Sequence, residues 1–197
     1  MSNCLSVENQ YIPRILVIDD EKRIREACRE VLSDKGFEVS VAPDGDDGLR
    51  KIEAAHFDIV LLDLMLPGLS GIEVLAKIHS VHTDTVVIVI TGYATLEHSI
   101  EAMKKGAFDF IPKPFTPDQL RVVVSKAIKY TRALQDIADA RSRLRVMVNR
   151  LSDGVMTTDS RKRIVLANPA FLHMIGHQGK SVVGSNSESL FFSTRPS

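Results

Sequence analysis

The sequence predicts an α/β protein built around a doubly wound, five-stranded parallel sheet. Five short runs rich in Val, Ile and Leu alternate with helix-like segments over about 100 residues. Parallel neighbours need crossover connections, which usually contain a helix, so this alternation favours a parallel sheet. The third run, residues 57–66, is apolar almost throughout, as expected for a strand covered on both faces.

The first half of the sheet follows a polar segment, residues 1–13, which we expect to be a flexible leader. Arg14–Ile18 is apolar and predicts the first strand. Residues 22–35 carry apolar side chains at helical spacing and precede a glycine, which predicts the first helix. Phe37–Ala42 alternates apolar and polar residues and predicts the second strand, and Asp44–Ala55 predicts the second helix.

The second half begins with the third strand, which carries Asp63 to its carboxyl end. Gly71–His79 has a helical apolar pattern and predicts the third helix. Val86–Ile90 is the most β-branched run of the chain and predicts a central fourth strand. Thr95–Lys105 then predicts a helix that a glycine ends, and Ala107–Ile111 predicts the fifth strand.

A fifth helix, beginning at a Thr-Pro-Asp start, is predicted to extend through residues 116–150. Apolar residues recur three and four apart, the repeat of a coiled coil, so we expect a parallel homodimer through residues 120–151. Arg141 interrupts the repeat and either sets the register or extends outward. The alternative is a single amphipathic helix packed on the sheet. The repeat consists of Ala127, Tyr130, Leu134, Ile137, Arg141, Leu144, Val148 and Leu151.

Composition narrows the class of protein. Acidic and basic residues balance at 25 each, but residues 1–115 have a net charge of −7 and residues 116–150 a net charge of +5. The basic residues of the helix alternate with apolar ones, which indicates a solvated helix face rather than a nucleic-acid site. Two isolated cysteines and the absence of an apolar run of about 20 residues predict a cytoplasmic protein without a membrane segment.

Polar residues stand at the carboxyl ends of four predicted strands: Asp19, Asp20, Asp63, Thr91 and Lys113. In open α/β sheets this edge carries the chemistry. Three clustered carboxylates repel one another unless a cation lies among them, and oxygen ligands favour Mg²⁺. Threonine and lysine suit phosphoryl oxygens, and a carboxylate in such a pocket can form an acyl phosphate.

Each of these residues also has a purely structural interpretation. Asp63 can cap the helix near Gly71 or start a turn, and Asp19, Asp20 and Glu21 can form an N-cap whose acids favour the helix dipole. Thr91 alone suits a turn, and Lys113 between two prolines suits a solvated loop. Their convergence on one edge of one sheet favours the functional interpretation over these alternatives.

Four motifs in order resemble the receiver domain of two-component response regulators and cover residues 14–130. The resemblance implies the flavodoxin-like strand order 2-1-3-4-5. It implies that Asp63 accepts a phosphoryl group from a histidine kinase or phosphotransfer protein, without enzymatic turnover beyond self-phosphorylation and slow self-dephosphorylation. The motifs are Ile15-Leu16-Val17-Ile18-Asp19-Asp20-Glu21, the run from Asp58 to Gly68, Val89-Ile90-Thr91-Gly92-Tyr93 and Lys113-Pro114-Phe115.

The resemblance also assigns roles around Asp63. Asp20 would bind Mg²⁺ directly and Asp19 largely through water, with Asp63 and the Met65 carbonyl as further ligands. Thr91 and Lys113 would bind the phosphoryl oxygens.

A conformational switch follows from the same resemblance. Thr91 would move toward the phosphoryl group, and Phe110, where the family most often has tyrosine, would turn inward and change the surface of helix four, strand five and helix five. The alternative is that Phe110 is a plain core aromatic. Met65 and Tyr93 are bulky, and we expect them to restrict the approach of water to the acyl phosphate.

Residues 151–197 resemble the first half of a PAS sensor domain and lack the later strands of its sheet. Such a segment cannot bury a complete core alone, so either the chain is a piece of a longer protein, or this segment is loosely ordered or paired in an atypical way. We interpret His173 and His177, four residues apart, as surface residues rather than metal ligands. The resemblance rests on residues 151–155, 158–160 and 164–171 and on Gly184.

The preferred function is a phosphorelay module that relays the state of Asp63 through the helix to a PAS, kinase or other effector. One alternative is a phosphatase or phosphotransferase with Asp63 as its transient nucleophile, although Met65 stands where such enzymes need a second acid. Another is the receiver part of a DNA-binding transcriptional regulator, although no helix-turn-helix pattern is present.

Overall fold

The computed structural model describes residues 11–92, 96–177 and 182–192. The chain divides into two compact units, Met1–Leu134 and Gln135–Ser197. Among the described residues, no helix combines the length and the apolar character needed to cross a membrane.

The first unit is a five-stranded parallel sheet in the order β2-β1-β3-β4-β5, which confirms the predicted fold class. Each strand is followed by a helix, as the crossover argument requires. The strands are β1 Arg14–Ile18, β2 Glu38–Ala42, β3 Ile59–Asp63, β4 Val86–Thr91 and β5 Asp109–Pro112. The helices are α1 Lys22–Ser33, α2 Gly45–Ala54, α3 Gly71–Val81, α4 Leu96–Lys104 and α5 Pro117–Asn149.

The sheet has an apolar core on each face. Alternate side chains of β3 enter the two cores: Val60 and Leu62 pack on the side of α2 and α3, while Ile59 and Leu61 pack on the side of α1 and α5. Every residue of β3 is buried. The apolar run at residues 57–66 therefore results from burial on both faces, and it positions Asp63 rigidly.

Several element boundaries differ from prediction by one to three residues, and two of these differences have a clear local reason. The fifth strand begins at Asp109 rather than Ala107, because the Ala107 N–H donates to the Ala102 carbonyl and closes the turn after α4. The first helix ends at Ser33, and Gly36, with φ of +83°, turns the chain into β2.

Helix α5 has 33 residues, and its side chains are partly buried in its first turns and exposed farther along. Its first turns bury Leu120, Val124 and Ala127 in the core beneath the sheet. From residue 132 to residue 147 every side chain is exposed. Ala127 was expected to begin the coiled-coil repeat, and this is wrong, because its side chain is fully buried within its own unit. The exposed part of the repeat begins at Tyr130, which is 47% exposed.

The second unit contains the antiparallel strands β6 Met156–Thr158 and β7 Ile164–Ala167, and the short helices α6 Pro169–Met174 and α7 Ser187–Phe192. The side chain of Asn168 links several segments of this unit by hydrogen bonds. The fully buried Asn168 amide donates to the carbonyls of Val148 at the end of α5 (3.0 Å) and of Asp153 (2.9 Å). Its Oδ1 accepts from the N–H groups of Val155 (2.8 Å) and Phe171 (2.9 Å).

Replacing Asn168 with alanine is expected to loosen the junction between the end of α5 and this unit. The substitution leaves buried backbone groups without partners, each costing about 1–3 kcal/mol. We expect faster amide hydrogen exchange in residues 148–171 and unchanged exchange in β1 and β3. The exposed Asn149→Ala variant is the matched control. Equal exchange in the two variants would contradict the prediction.

Candidate functional site

The predicted site residues meet at the carboxyl edge of the sheet. Asp63 ends β3 and Thr91 ends β4, while Asp19 follows β1 and Lys113 follows β5. The side chains of Asp19, Asp63 and Thr91 are nearly inaccessible, with exposures of 1%, 4% and 1%, whereas Asp20 is exposed. This edge therefore holds two buried carboxylates beside one that faces solvent.

Lys113 neutralises the buried carboxylates. Its Nζ lies 2.7 Å from Asp63 Oδ2, 2.8 Å from Asp19 Oδ2 and 3.0 Å from Glu21 Oε1. The Lys113 N–H donates to the Thr91 carbonyl (2.8 Å), which ties the loop after β5 to the end of β4. The peptide between Lys113 and Pro114 is cis. One ammonium group thus contacts three carboxylates, two from the loop after β1 and one from the end of β3.

The ionisation of these groups reflects burial and pairing. Burial lowers the pKa of Lys113, but the contacts with Asp19, Asp63 and Glu21 outweigh it and hold the pKa above its ordinary value. Burial raises the pKa of Asp19, and the nearby Lys113 offsets only part of that rise. Burial also raises the pKa of the Cys28 thiol to about 12, so this cysteine is a neutral core residue.

The three aspartates have the donor set for a divalent cation. Carboxylate oxygens of Asp19, Asp20 and Asp63 lie within 4.8 Å of one another. The buried Asp19 Oδ2 is close enough to Lys113 for an ion pair, yet it accepts no hydrogen bond of acceptable geometry among the described residues. A buried acceptor of this kind suits a cation or its bound water. The residues present therefore fit a hard cation such as Mg²⁺.

The remaining residues singled out in the sequence lie in different parts of the structure. The Met65 backbone N–H donates to Asp63 Oδ1 (3.0 Å), and Met65 is 54% exposed. Phe110 lies on β5 and is 38% exposed. Tyr93 lies outside the described residues. His173 is exposed and His177 half-buried, and among described residues neither belongs to a group of three potential metal ligands.

The capping interpretations do not account for the acids. Ser70 caps α3 and forms a capping box with Glu73, so Asp63 has no capping role there. At α1 the N-cap residue, Glu21, makes no side-chain capping bond. Asp19 and Asp63 do each accept the N–H two residues later, from Glu21 and Met65, and so stabilise local turns while their other oxygens face the shared edge.

Sequence analysis missed three residues that shape this edge: Glu21, Arg25 and Gly71. Glu21 supplies the third carboxylate to Lys113, and Arg25 donates to backbone carbonyls of the loop after β1. At Gly71 a Cβ atom would lie 2.3 Å from the Asp63 carbonyl oxygen. A glycine soon after a strand that carries a functional acid is a signal of such close approach, whereas the helical pattern alone predicts only a helix start there.

Replacing Gly71 with alanine is expected to displace the end of β3. The added Cβ would meet the Asp63 carbonyl oxygen and, at 2.5 Å, the Leu64 Cα, both of which are backbone atoms that cannot rotate away. We expect a loss of stability of about 1–3 kcal/mol, measured by urea denaturation, and weaker Mg²⁺ binding. The matched control is Gly92→Ala, where a Cβ meets no atom of the described residues within 4 Å. A Gly71→Ala variant as stable as this control would contradict the account.

Comparison with known proteins now decides the family. The family model described as the response regulator receiver domain matches residues 15–125. The chain belongs to the response regulator receiver family. A second family model, described as a PAS domain, matches residues 142–196, so the receiver is followed by PAS sequence.

Curated relatives match the receiver. The transcriptional regulatory protein DltR of Streptococcus agalactiae is 43% identical over 107 residues, which are 54% of this chain and 48% of that protein. The regulatory protein AtoC of Escherichia coli is 36% identical over 126 residues, 64% of this chain and 27% of that protein. The chain thus spans about half or less of the length of these relatives.

Solved structures match as well. A CheY-like receiver domain protein of Methanospirillum hungatei superposes with a TM-score of 0.61 at 33% identity, covering 62% of this chain and 98% of that one. NtrX of Brucella abortus superposes with a TM-score of 0.63 at 33% identity, covering 72% of this chain and 35% of that one.

Proposed function

We propose that this chain is a phosphoacceptor of a two-component phosphorelay and that Asp63 accepts the phosphoryl group. The observation that carries the proposal is the shared contact of Lys113 with two buried carboxylates, Asp19 and Asp63, at the carboxyl edge of a receiver sheet. A histidine kinase or a phosphotransfer protein would be the donor. Both would meet the chain in the cytoplasm.

In the proposed reaction an Asp63 carboxylate oxygen attacks the phosphorus of a phosphohistidine. The oxygen–phosphorus bond forms as the nitrogen–phosphorus bond breaks, and the imidazole nitrogen keeps the electron pair and takes up a proton. We propose that Lys113, held protonated by its raised pKa, binds one phosphoryl oxygen and that the Thr91 hydroxyl binds another; the contact of Lys113 with Asp63 supports its part.

Asp19, Asp20, Asp63 and the Met65 carbonyl would hold Mg²⁺. When bound, the ion offsets the negative charge that accumulates during transfer. The chain supplies the carboxylates and buries two of them, Asp19 and Asp63, away from water. This burial strengthens their interaction with any cation at the edge of the sheet.

Phe110 is proposed as the switch residue that acts with Thr91. Its side chain is 38% exposed, so an inward rotation would remove an apolar surface from solvent and reshape the face that β5 shares with α5. A Phe110→Ala variant would then still accept the phosphoryl group while losing the response at that face. Unchanged amide exchange of α5 on phosphorylation of the wild type would contradict this role.

Met65 and Tyr93 are proposed to lengthen the life of the aspartyl phosphate. Met65 is 54% exposed and its backbone N–H contacts the Asp63 carboxylate, so a bulky side chain at this position would hinder an attacking water. We expect Met65→Asn, which is smaller and can orient water, to hydrolyse the aspartyl phosphate faster. The decay after removal of the donor is followed by intact mass. Decay equal to or slower than that of the wild type would exclude this role for Met65.

The output is proposed to pass along α5. Leu134, Ile137 and Leu144 are 44%, 65% and 62% exposed on a helix with no covering partner among the described residues. Such a repeat is typical of a coiled coil, so we propose a parallel homodimer that relays the phosphorylation state to a PAS, kinase or other effector. The PAS match at residues 142–196 supports this direction of output.

The alternative output is gene regulation. DltR is named a transcriptional regulatory protein, and that name supports a role as the receiver part of a DNA-binding regulator. The PAS sequence that follows the receiver here favours the first output.

The test of the proposed function is treatment with a small acyl phosphate donor and Mg²⁺, followed by intact mass measurement. We expect one added phosphoryl group on the wild type, none on Asp63→Asn and none when a chelator removes the metal. An unmodified wild type would contradict the proposal. The exposed Asp84→Asn variant is the control for loss of a carboxylate elsewhere.

A further inference from the structure

The guanidinium of Arg25 contacts the loop that carries the aspartates after β1. Its Nη1 donates to the carbonyl oxygen of Asp19 at 2.7 Å and to that of Asp20 at 2.8 Å. Both are short, charge-assisted hydrogen bonds. Arg25 lies on α1, one turn after the helix begins, and it is half-buried.

The two carbonyls have a particular relation to Asp20. The Asp19 carbonyl belongs to the peptide plane before Asp20, and the Asp20 carbonyl belongs to the plane after it. Because peptide units are planar, anchoring both planes fixes the two backbone dihedrals of Asp20 and so the direction in which its side chain leaves the chain.

Asp20 needs this support more than its neighbours. Asp19 is held by its own buried carboxylate, which accepts from the Glu21 N–H at 2.9 Å. Asp63 is held within a buried strand. The Asp20 carboxylate is exposed and takes part in no hydrogen bond or ion pair among the described residues. The α1 N-cap residue, Glu21, makes no side-chain capping bond, and its carboxylate pairs with Lys113 rather than with Asp20.

We propose that Arg25 is a positioning residue that orients Asp20 for the divalent cation. This inference rests on the proposed function, since it concerns the same metal site. Charge alone predicts a different result. A positive side chain near a cation site repels the ion, so removing the charge of Arg25 would tighten Mg²⁺ binding. Positioning predicts the reverse sign, with weaker binding when Arg25 is lost.

Arg29 provides a matched control. It carries the same charge on the same helix, four residues later, and its side chain is exposed. Among the described residues it makes no hydrogen bond or ion pair. Arg29→Ala therefore removes a similar charge without removing an anchor from the loop.

The experiment is a Mg²⁺ titration of the whole chain by isothermal calorimetry at constant ionic strength. We expect Arg25→Ala to raise the dissociation constant on the order of tenfold, the scale seen when a support of a metal ligand is lost. Arg25→Lys, which keeps a donor, should recover part of the affinity. Arg29→Ala should bind Mg²⁺ as tightly as the wild type or slightly more tightly.

The outcomes separate this inference from the proposed function. A dissociation constant for Arg25→Ala equal to or lower than that for Arg29→Ala would overturn the positioning role while leaving the phosphoacceptor site intact. A wild type that binds no Mg²⁺ would overturn the metal site itself. Urea denaturation without Mg²⁺ shows whether Arg25→Ala is folded. If that variant is unfolded, Arg25→Lys decides, and affinity equal to that of the wild type would overturn the role of the two-carbonyl anchor.

Discussion

Replacing Lys113 with methionine is expected to lower the free energy of unfolding of the receiver domain by about 3–5 kcal/mol at neutral pH. The substitution keeps the length of the side chain but leaves Asp19 and Asp63 as two buried carboxylates without a counter-charge. Saturating Mg²⁺ should return part of the lost stability, because the cation would supply the missing charge.

The loss should depend on pH in a definite direction. The pKa of Asp19 is already above 3.8 in the folded protein, and removing Lys113 raises it further. A carboxyl with a raised folded-state pKa stabilises the fold when protonated, so its contribution is complete below 3.8 and is lost as the pH rises through the folded-state pKa. The difference between wild type and Lys113→Met should therefore shrink as the pH falls.

Urea denaturation over a range of pH measures this difference. The matched control is Lys126→Met, which breaks the solvent-exposed ion pair with Asp109, whose atoms are 2.8 Å apart. Exposed pairs contribute about 0–1 kcal/mol, so that variant should resemble the wild type. A similar small effect in both variants would mean that Lys113 does not carry the charge balance of the site.

Introducing aspartate at both Ile137 and Leu144 is expected to make the chain monomeric. These side chains are 65% and 62% exposed along one stripe of α5, and a coiled-coil partner would bury them. Burying each apolar side chain contributes about 1.5–3 kcal/mol. Losing four of them in a dimer removes about 6 kcal/mol or more, which raises the dissociation constant by about four orders of magnitude or more.

Analytical ultracentrifugation across a concentration series tests this expectation. Val146→Asp is the matched control, because Val146 is a 49% exposed apolar residue of the same helix that lies off the repeat. A wild-type chain that stays monomeric with and without the phosphodonor would contradict the coiled-coil proposal. So would equal dissociation of the control and the double variant.

Much of the receiver was predictable because its signals are local and repeated. The β-branched runs of β1, β3 and β4 show burial on both faces, and parallel strands bring their carboxyl ends to one edge by geometry. The sequence alone therefore predicts that four side chains lie close together, those of Asp19, Asp63, Thr91 and Lys113. The strand order itself came from the family resemblance.

Other features depend on contacts that the local pattern does not encode. The ion pair between Lys113 and Glu21 joins residues that are 92 positions apart in the sequence. The hydrogen bonds of Arg25 to two carbonyls depend on the conformation of the loop after β1. The error at Ala127 has a different cause. Packing against a sheet and packing in a coiled coil need nearly the same spacing along a helix, so the sequence could not show where one ends and the other begins.

The most direct test of the central claim is to locate the phosphoryl group. After treatment with a small acyl phosphate donor and Mg²⁺, borohydride reduces an aspartyl phosphate to homoserine, which peptide mass spectrometry then assigns to a position. The account predicts homoserine at residue 63 alone. Conversion at another aspartate, or at none in a folded chain that binds Mg²⁺, would contradict it.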